Sequence, residues 1–300
     1  SYGSHKSIKF MRALVEKQSV QYIQSILGSW VKKYKCQLIS PDRVLPTSIV
    51  AAAIFNSEHE DQIFAFGAST LWLFGVDRWF DENKYKNENV FNKFSFFESN
   101  EFRRDNSEIV EVAATFEDIH DFLSKFKSFE KNRHLWYASL MNVLFLGMAH
   151  ERQENLNLTF DQYLYYARES IGVKFVNYTT FISMNLSLKF EHHIYFDSIQ
   201  NLSAEIIRLM NDLVTNSKEM KEGKKNALSF LGTGIENPTK WIKDVIIKKE
   251  ERLSALVNGG PEDLAIFSNY VQSLVKTTLA FYRESDFYDG EQSLKQKHIK

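Results

Sequence analysis

Turn punctuation is scarce along this chain, and that scarcity limits its fold more than any single motif does. Four prolines and twelve glycines are spread over 300 residues. That is too few to end the many short strands of a sandwich or barrel, so long helices are favoured. Apolar residues recur at helical spacing through 8–36, where Leu14, Val15, Val20, Ile23, Ile26, Leu27 and Trp30 form the set. Pro41 and Pro46 mark a loop or turn. The long apolar stretch 51–80 breaks at Glu58-His59-Glu60-Asp61, which reads as the junction of two helices. Residues 83–108 are rich in Asn, Lys and Glu, an exposed connection. Helical patterns follow at 108–128 and 131–152. A further helix starts at Thr159, with Asp161 as its first-turn acid and Gly172 inside the pattern. Another runs near 197–219, Pro238 opens the next, and a last one ends near Arg283 after Gly259-Gly260-Pro261. No repeat and no linker interrupts this, so the expectation is one all-α domain over 1–300.

The charge balance narrows the function classes. With 37 basic against 38 acidic residues the formal charge is -1, which gives no signal for nucleic acid or an anionic membrane surface. Cys36 is the single cysteine, which excludes an intramolecular disulfide and a Cys-rich metal site. No apolar run reaches the ~20 residues needed to span a bilayer, and residues 1–6 lack a signal-peptide core. A soluble, cytoplasmic protein is expected. Aromatic residues are abundant, with 25 Phe, 13 Tyr and 5 Trp. Most belong in a core by this reading, although a large apolar cavity needs the same lining.

Chemistry concentrates in three places. Within Asn211-Asp212-Leu213-Val214-Thr215-Asn216-Ser217-Lys218-Glu219, residues Asn211, Thr215 and Glu219 recur at i, i+4 and i+8. On a helix they form one stripe roughly 12 Å long. An amide carbonyl, a hydroxyl and a carboxylate so stacked offer three oxygen ligands to a hard cation such as Mg²⁺. Lys218 beside them could reach an anion held by that cation. A solvated helix face is the plainer explanation of the same pattern. Upstream, Asp77-Arg78-Trp79-Phe80-Asp81-Glu82 follows the apolar run Leu71 to Val76, with Asp77 and Asp81 one turn apart; fraying into a charged loop is the alternative. Between the two lies Arg168, among Tyr165, Tyr166 and Glu169. Its guanidinium can bind phosphate in a bidentate fashion or pair with a nearby acid. Gly172 is either a packing glycine or a break that exposes a backbone carbonyl. The histidines, His192-His193 included, lack His-Glu-x-x-His spacing, and no phosphate-loop motif is present.

Together these pieces resemble class I terpene synthases of the compact, single-domain microbial type. Asp77 to Glu82 is similar to the family's Asp-Asp-x-x-Asp-Glu motif, with Arg78 in place of the second aspartate. Asn211 to Glu219 matches every defined position of Asn-Asp-x-x-Ser/Thr-x-x-Lys-Glu, and 220–226 continues with the expected Gly and Asn. Arg168 and Gly172 fit the family's diphosphate-sensing arginine and the glycine four residues after it. At the C-terminal end Tyr288 is kept from an Arg-Tyr pair, while Phe287 takes the arginine position; Arg283 lies four residues before Phe287. The resemblance spans about 77–288.

That resemblance implies a bundle of antiparallel helices around a deep apolar pocket with both motifs at its mouth. It implies metal ligation by Asp77, Asp81, Asn211, Thr215 and Glu219, with three Mg²⁺ per site and Mn²⁺ as an alternative. Arg168, Lys218 and Tyr288 would hold diphosphate, and Gly172 would assist ionisation through its carbonyl. The implied activity is a lyase reaction in which a linear prenyl diphosphate ionises and cyclises. Geranylgeranyl diphosphate is slightly favoured as substrate and farnesyl diphosphate follows. A homodimer is also implied. Two other readings stand beside this one: a non-catalytic isoprenoid-binding homologue, and a chain-elongating prenyltransferase, whose second aspartate-rich motif is absent here.

Overall fold

A computed structural model describes residues 18–34, 39–56, 58–83, 107–144, 157–223 and 225–284. No strand occurs among them. The helices are α1 (Gln18–Lys32), α2 (Val44–Ile54), α3 (Glu60–Asn83), α4 (Ser107–Leu123), α5 (Ser128–Met141), α6 (Phe160–Ser170), α7 (Val173–Ser183), α8 (His193–Lys221), α9 (Pro238–Asn258) and α10 (Ala265–Glu284). Cys36 and the 84–106 connection lie outside the described residues.

Local chemistry explains most boundaries. Thr159 caps α6 in a reciprocal pair with Gln162, and Asn237 caps α9 ahead of Pro238 at the first helical position. One expectation needs correcting: Pro46 lies in the first turn of α2, not in a loop. Backbone N–H groups there have no intrahelical partner, so proline's missing donor costs nothing. Only Pro41 sits in a turn, opening a 3₁₀ segment at Pro41–Arg43.

Two helices lack a polar face and are therefore wrapped by others. Every residue of α2 from Val44 to Ala51 is buried, as is all of α7 except Lys174. Helix α2 packs on α1, α3 and α10, and α7 packs on α3, α5 and α8. Between α3, α4, α5 and α7, the rings of Trp72, Phe116, Trp136 and Phe175 pack with centroids 5.2–5.7 Å apart. Trp136 Nε1 donates to Thr179 Oγ1 at 2.8 Å, which satisfies the one polar atom that the ring brings inside. This part of the aromatic excess is core.

Helix α7 also orients the bundle. Gln62 Nε2 donates to the Ser183 carbonyl at 3.3 Å, and a methyl carbon of Leu73 lies 2.5 Å from where a Cβ on Gly172 would sit. Helices α3 and α7 are therefore antiparallel. Phe181 meets Phe196 edge-to-face while Asn177 bonds Ser203, so α7 and α8 are antiparallel too. Helix α10 runs parallel to α8, with Tyr195 bonded to Ser268 and Asn211 to Tyr282, because α9 returns the chain between them. The C-terminal ends of α3, α8 and α10 consequently meet at the end of the bundle where Gly172 begins α7. Three helix C-termini at one end gather partial negative charge, which favours cations there.

Candidate active site

The expected ligand stripe occupies the last three turns of α8. Asn211 and Thr215 are buried and Glu219 is half-buried. Asn211 Nδ2 donates to the Tyr282 hydroxyl of α10 at 3.0 Å, which fixes the orientation of the amide and hence of its oxygen. Thr215 Oγ1 lies 2.8 Å from the Asn211 carbonyl oxygen and 2.9 Å from Glu219 Oε1. A hydroxyl has one proton, so it donates to only one of the two. With that proton on the Asn211 carbonyl, a proton on Glu219 completes the second contact. The carboxyl is suited to carry it: burial, then the neighbouring Asp212 carboxylate, push its pKa up to about 7. Glu219 Oε2 is buried without a hydrogen-bond partner.

Asp212, beside the stripe and fully buried, is the opposite case. It accepts from Tyr163 Oη at 2.5 Å, from Arg208 Nε at 3.0 Å and from the Ala227 backbone N–H at 3.0 Å. Arg208 Nη2 also donates to Tyr163 Oη at 3.1 Å. These bonds tie α8 to α6 and to the 3₁₀ segment Ala227–Phe230. Asn226, also fully buried, donates through Nδ2 to Asn216 Oδ1 at 2.6 Å and caps that segment. Sequence reasoning assigned Asp212 no role, although the i, i+4 spacing of Arg208 and Asp212 signals a pair.

Asp77 lies in the C-terminal half of α3, partly buried, and Arg78 next to it is exposed. Asp81 continues the same helix with its side chain outside the described set, and Phe287 and Tyr288 lie outside the described residues. Gly172 is a break rather than a helical residue. It takes φ +77° as the N-cap of α7, and its carbonyl accepts from Val176 N–H at 3.1 Å, aligning it with that helix. Its left-handed conformation favours glycine, and a Cβ there would also have to displace a methyl of Leu73, one turn before Asp77. Arg168 is ion-paired: Nη1 donates to Glu205 Oε1 at 3.0 Å, Nε lies 3.6 Å from Glu169 Oε1, and the guanidinium covers the Tyr165 ring at 4.8 Å. Lys249 and Lys174 bond the same two acids at 3.0 Å each. Lys218 is exposed near the end of α8.

Residues 69–233, more than half of the chain and including both motifs, match the family described as terpene synthase family 2, C-terminal metal binding. The chain belongs to the terpene synthases. Its all-α fold is that of class I members. Isoprene synthase from grey poplar leaves (Populus x canescens) superposes with a TM-score of 0.71 at 14% identity, the match covering 95% of this chain and 56% of that one. The same enzyme in complex with three Mg²⁺ ions and dimethylallyl-S-thiolodiphosphate gives 0.66, also at 14% identity, over 96% of this chain and 58% of that one. A mutant of the SVS_A2 protein from ancestral sequence reconstruction gives 0.61 at 14% identity, covering 89% of this chain and 84% of that one. This terpene synthase chain thus spans somewhat over half the length of isoprene synthase. No curated protein matches its sequence.

The metal that the family description implies can be tested on the residues present. A buried carboxylate oxygen without a donor, an amide oriented by Tyr282 and a hydroxyl on the same stripe are hard oxygen ligands, and they fit Mg²⁺. No group of three or more His, Cys, Asp or Glu converges among the described residues, as expected where two of three candidate ligands on α8 are Asn and Thr.

Proposed function

We propose that this chain is a Mg²⁺-dependent class I terpene cyclase that ionises a linear prenyl diphosphate and releases diphosphate. The observation that carries this reading is the Asn211–Thr215–Glu219 stripe, with its unpartnered Glu219 oxygen, at the bundle end that Asp77 also approaches. Asn211, Thr215 and Glu219 on one wall and Asp77, with Asp81, on the other would hold the ions. Bound Mg²⁺ supplies charge neutralisation for the departing diphosphate. Lys218 and Tyr288 would donate to diphosphate oxygens. Arg168 would join them by exchanging the Glu205 carboxylate for diphosphate, a comparable anionic partner for its planar fork.

The allylic cation left by ionisation would then cyclise against apolar and aromatic side chains, whose ring faces stabilise cations without attacking them. The Gly172 carbonyl would add a dipole at the mouth. Geranylgeranyl and farnesyl diphosphate are the candidate substrates, and Mn²⁺ would replace Mg²⁺. A single domain, a homodimer and a cytoplasmic site of action complete the proposal.

The test is incubation of the purified chain with C10, C15, C20 and C25 prenyl diphosphates, with and without Mg²⁺. Organic extracts would be read by gas chromatography–mass spectrometry. A Mg²⁺-dependent cyclic hydrocarbon or alcohol is expected. A folded protein that leaves every substrate intact contradicts the reading and favours an isoprenoid-binding homologue.

A further inference from the structure

Below the metal stripe, one side chain of α10 is met by α7, α3 and the end of α2, and is linked to α8 through Asn177. Tyr270 of α10 donates through its hydroxyl to Asn177 Oδ1 of α7 at 3.0 Å, and Asn177 Nδ2 donates to Ser203 Oγ of α8 at 3.3 Å. The Tyr270 ring stacks on Phe55, the residue that ends α2, with centroids 5.6 Å apart and planes 16° apart. Its edge meets Phe66 of α3, centroids 6.4 Å apart at 78°. Helices α2, α3, α7, α8 and α10 pack in a closed ring, each against the next. Tyr270, itself on α10, meets α7, α3 and the end of α2 directly and reaches α8 through Asn177, so its side chain enters the interior of that ring. Tyr270, Asn177 and Ser203 are each buried.

The same helices carry the site residues at their other end, so the depth of this cluster can be read along them. Phe66, Thr70, Leu73 and Asp77 share one stripe of α3, and Phe66 to Asp77 spans about 16 Å at the helical rise. Ser203 to Asn211 spans about 12 Å on α8, and Tyr270 to Tyr282 about 18 Å on α10. A prenyl chain has four backbone bonds per five carbons, each about 1.5 Å, so every unit adds roughly 5 Å when extended. Fifteen carbons reach about 15 Å and twenty about 20 Å on the same geometry.

We infer that Tyr270, braced by Asn177 and Ser203 and flanked by Phe55 and Phe66, is the floor of the substrate pocket and limits the prenyl chain to fifteen carbons. This rests on the function proposed above and selects farnesyl over geranylgeranyl diphosphate. The Tyr270 ring blocks the way deeper. The hydrogen bonds hold it across the ring of helices rather than letting it swing aside, since a buried Asn177 amide has no water to replace that partner.

The experiment measures binding as well as turnover. Thermal shifts of the full chain with Mg²⁺ and the C10, C15 and C20 thiolodiphosphates would give a chain-length profile that needs no catalysis. Competing C15 and C20 diphosphates would give relative kcat/KM. The wild-type chain is expected to favour C15 over C20 at least tenfold in both. Tyr270→Leu, with Phe66→Leu as a second floor variant should the first not fold, is expected to cut that preference at least tenfold by admitting C20. Tyr270→Phe keeps the ring but loses the hydrogen bond to Asn177, and is expected to weaken the preference by less than Tyr270→Leu does. Wild-type protein that prefers C20, or floor variants that fold and leave the ratio unchanged, would overturn the inference while leaving the proposed function in place. Failure to bind any of the analogues would overturn both.

Discussion

Asp212, fully buried, and Glu219, half-buried, are carboxylates on the same helix, and the protein treats them in opposite ways. Asp212 is surrounded by donors: Tyr163, Arg208 and the Ala227 N–H fill its oxygens. Glu219 has one shared hydroxyl and a buried Oε2 without a hydrogen-bond partner, and burial and Asp212 outweigh the opposing pull of Arg208, Thr215 and Asn226 to lift its pKa to about 7. A carboxylate that serves the fold is fully hydrogen-bonded, since leaving it bare would cost several kcal/mol. A carboxylate kept bare at the end of three converging helices is poised for a ligand that brings positive charge. The contrast in hydrogen bonding separates scaffold from site, and it runs alongside the difference in burial between the two.

Removing the Glu219 carboxylate should have the largest effect. Glu219→Gln is expected to lower Mg²⁺-dependent product formation about 10³-fold, the scale of losing several kcal/mol of metal-borne charge stabilisation. Thermal unfolding without metal at pH 8 should be unchanged or raised. A marked fall in melting temperature would mean that Glu219 serves the fold as Asp212 does. Asp212→Asn is the converse: it removes the carboxylate that Arg208 Nε, Tyr163 and the Ala227 N–H all donate to, and is expected to destabilise the chain by about 3 kcal/mol, measured by urea unfolding. An Asp212 variant as stable as the wild type would remove its scaffold role.

A pH series sharpens the same contrast. Glu219 has a folded pKa of about 7 against an ordinary value of 4.5. Its protonated form therefore favours folding. That contribution is full below about 4.5 and is lost as pH rises through about 7. Metal-free protein should show this loss between pH 5 and 8, and Glu219→Gln should flatten it. Mg²⁺ binding below pH 7 should release a proton, detectable in weak buffer. The smallest effect is expected from Tyr282→Phe. It removes the hydroxyl that orients Asn211 and should weaken Mg²⁺ binding about tenfold with little change in fold, read by calorimetry.

The sequence carried the helices and the stripe for the same reason: both are periodic. Asn211, Thr215 and Glu219 fall on one face wherever that helix packs, and sparse Gly and Pro leave few places to end it. Gly172 was legible as an anomaly. Its left-handed φ and its contact with Leu73 come from packing against α3, which no local pattern encodes. The partners of Arg168 were half legible: Glu169 is adjacent, whereas Glu205 arrives on another helix. Tyr282 behind Asn211 and the Ala227 N–H on Asp212 are equally tertiary, and only Arg208, one turn away, announces itself in the sequence. Pro46 misled because the first turn of a helix tolerates the residue that ends one elsewhere.

The central claim is that the bare oxygen ligands of α8 hold divalent cations gripping a diphosphate. The most direct measurement is a crystal structure grown with Mn²⁺ and inorganic diphosphate, located by anomalous scattering from the metal. Ions bonded to Asn211, Thr215 and Glu219 on one wall and to Asp77 on the other, with diphosphate between them, are expected. Metal bound elsewhere, with Glu219 still protonated against Thr215, would contradict it.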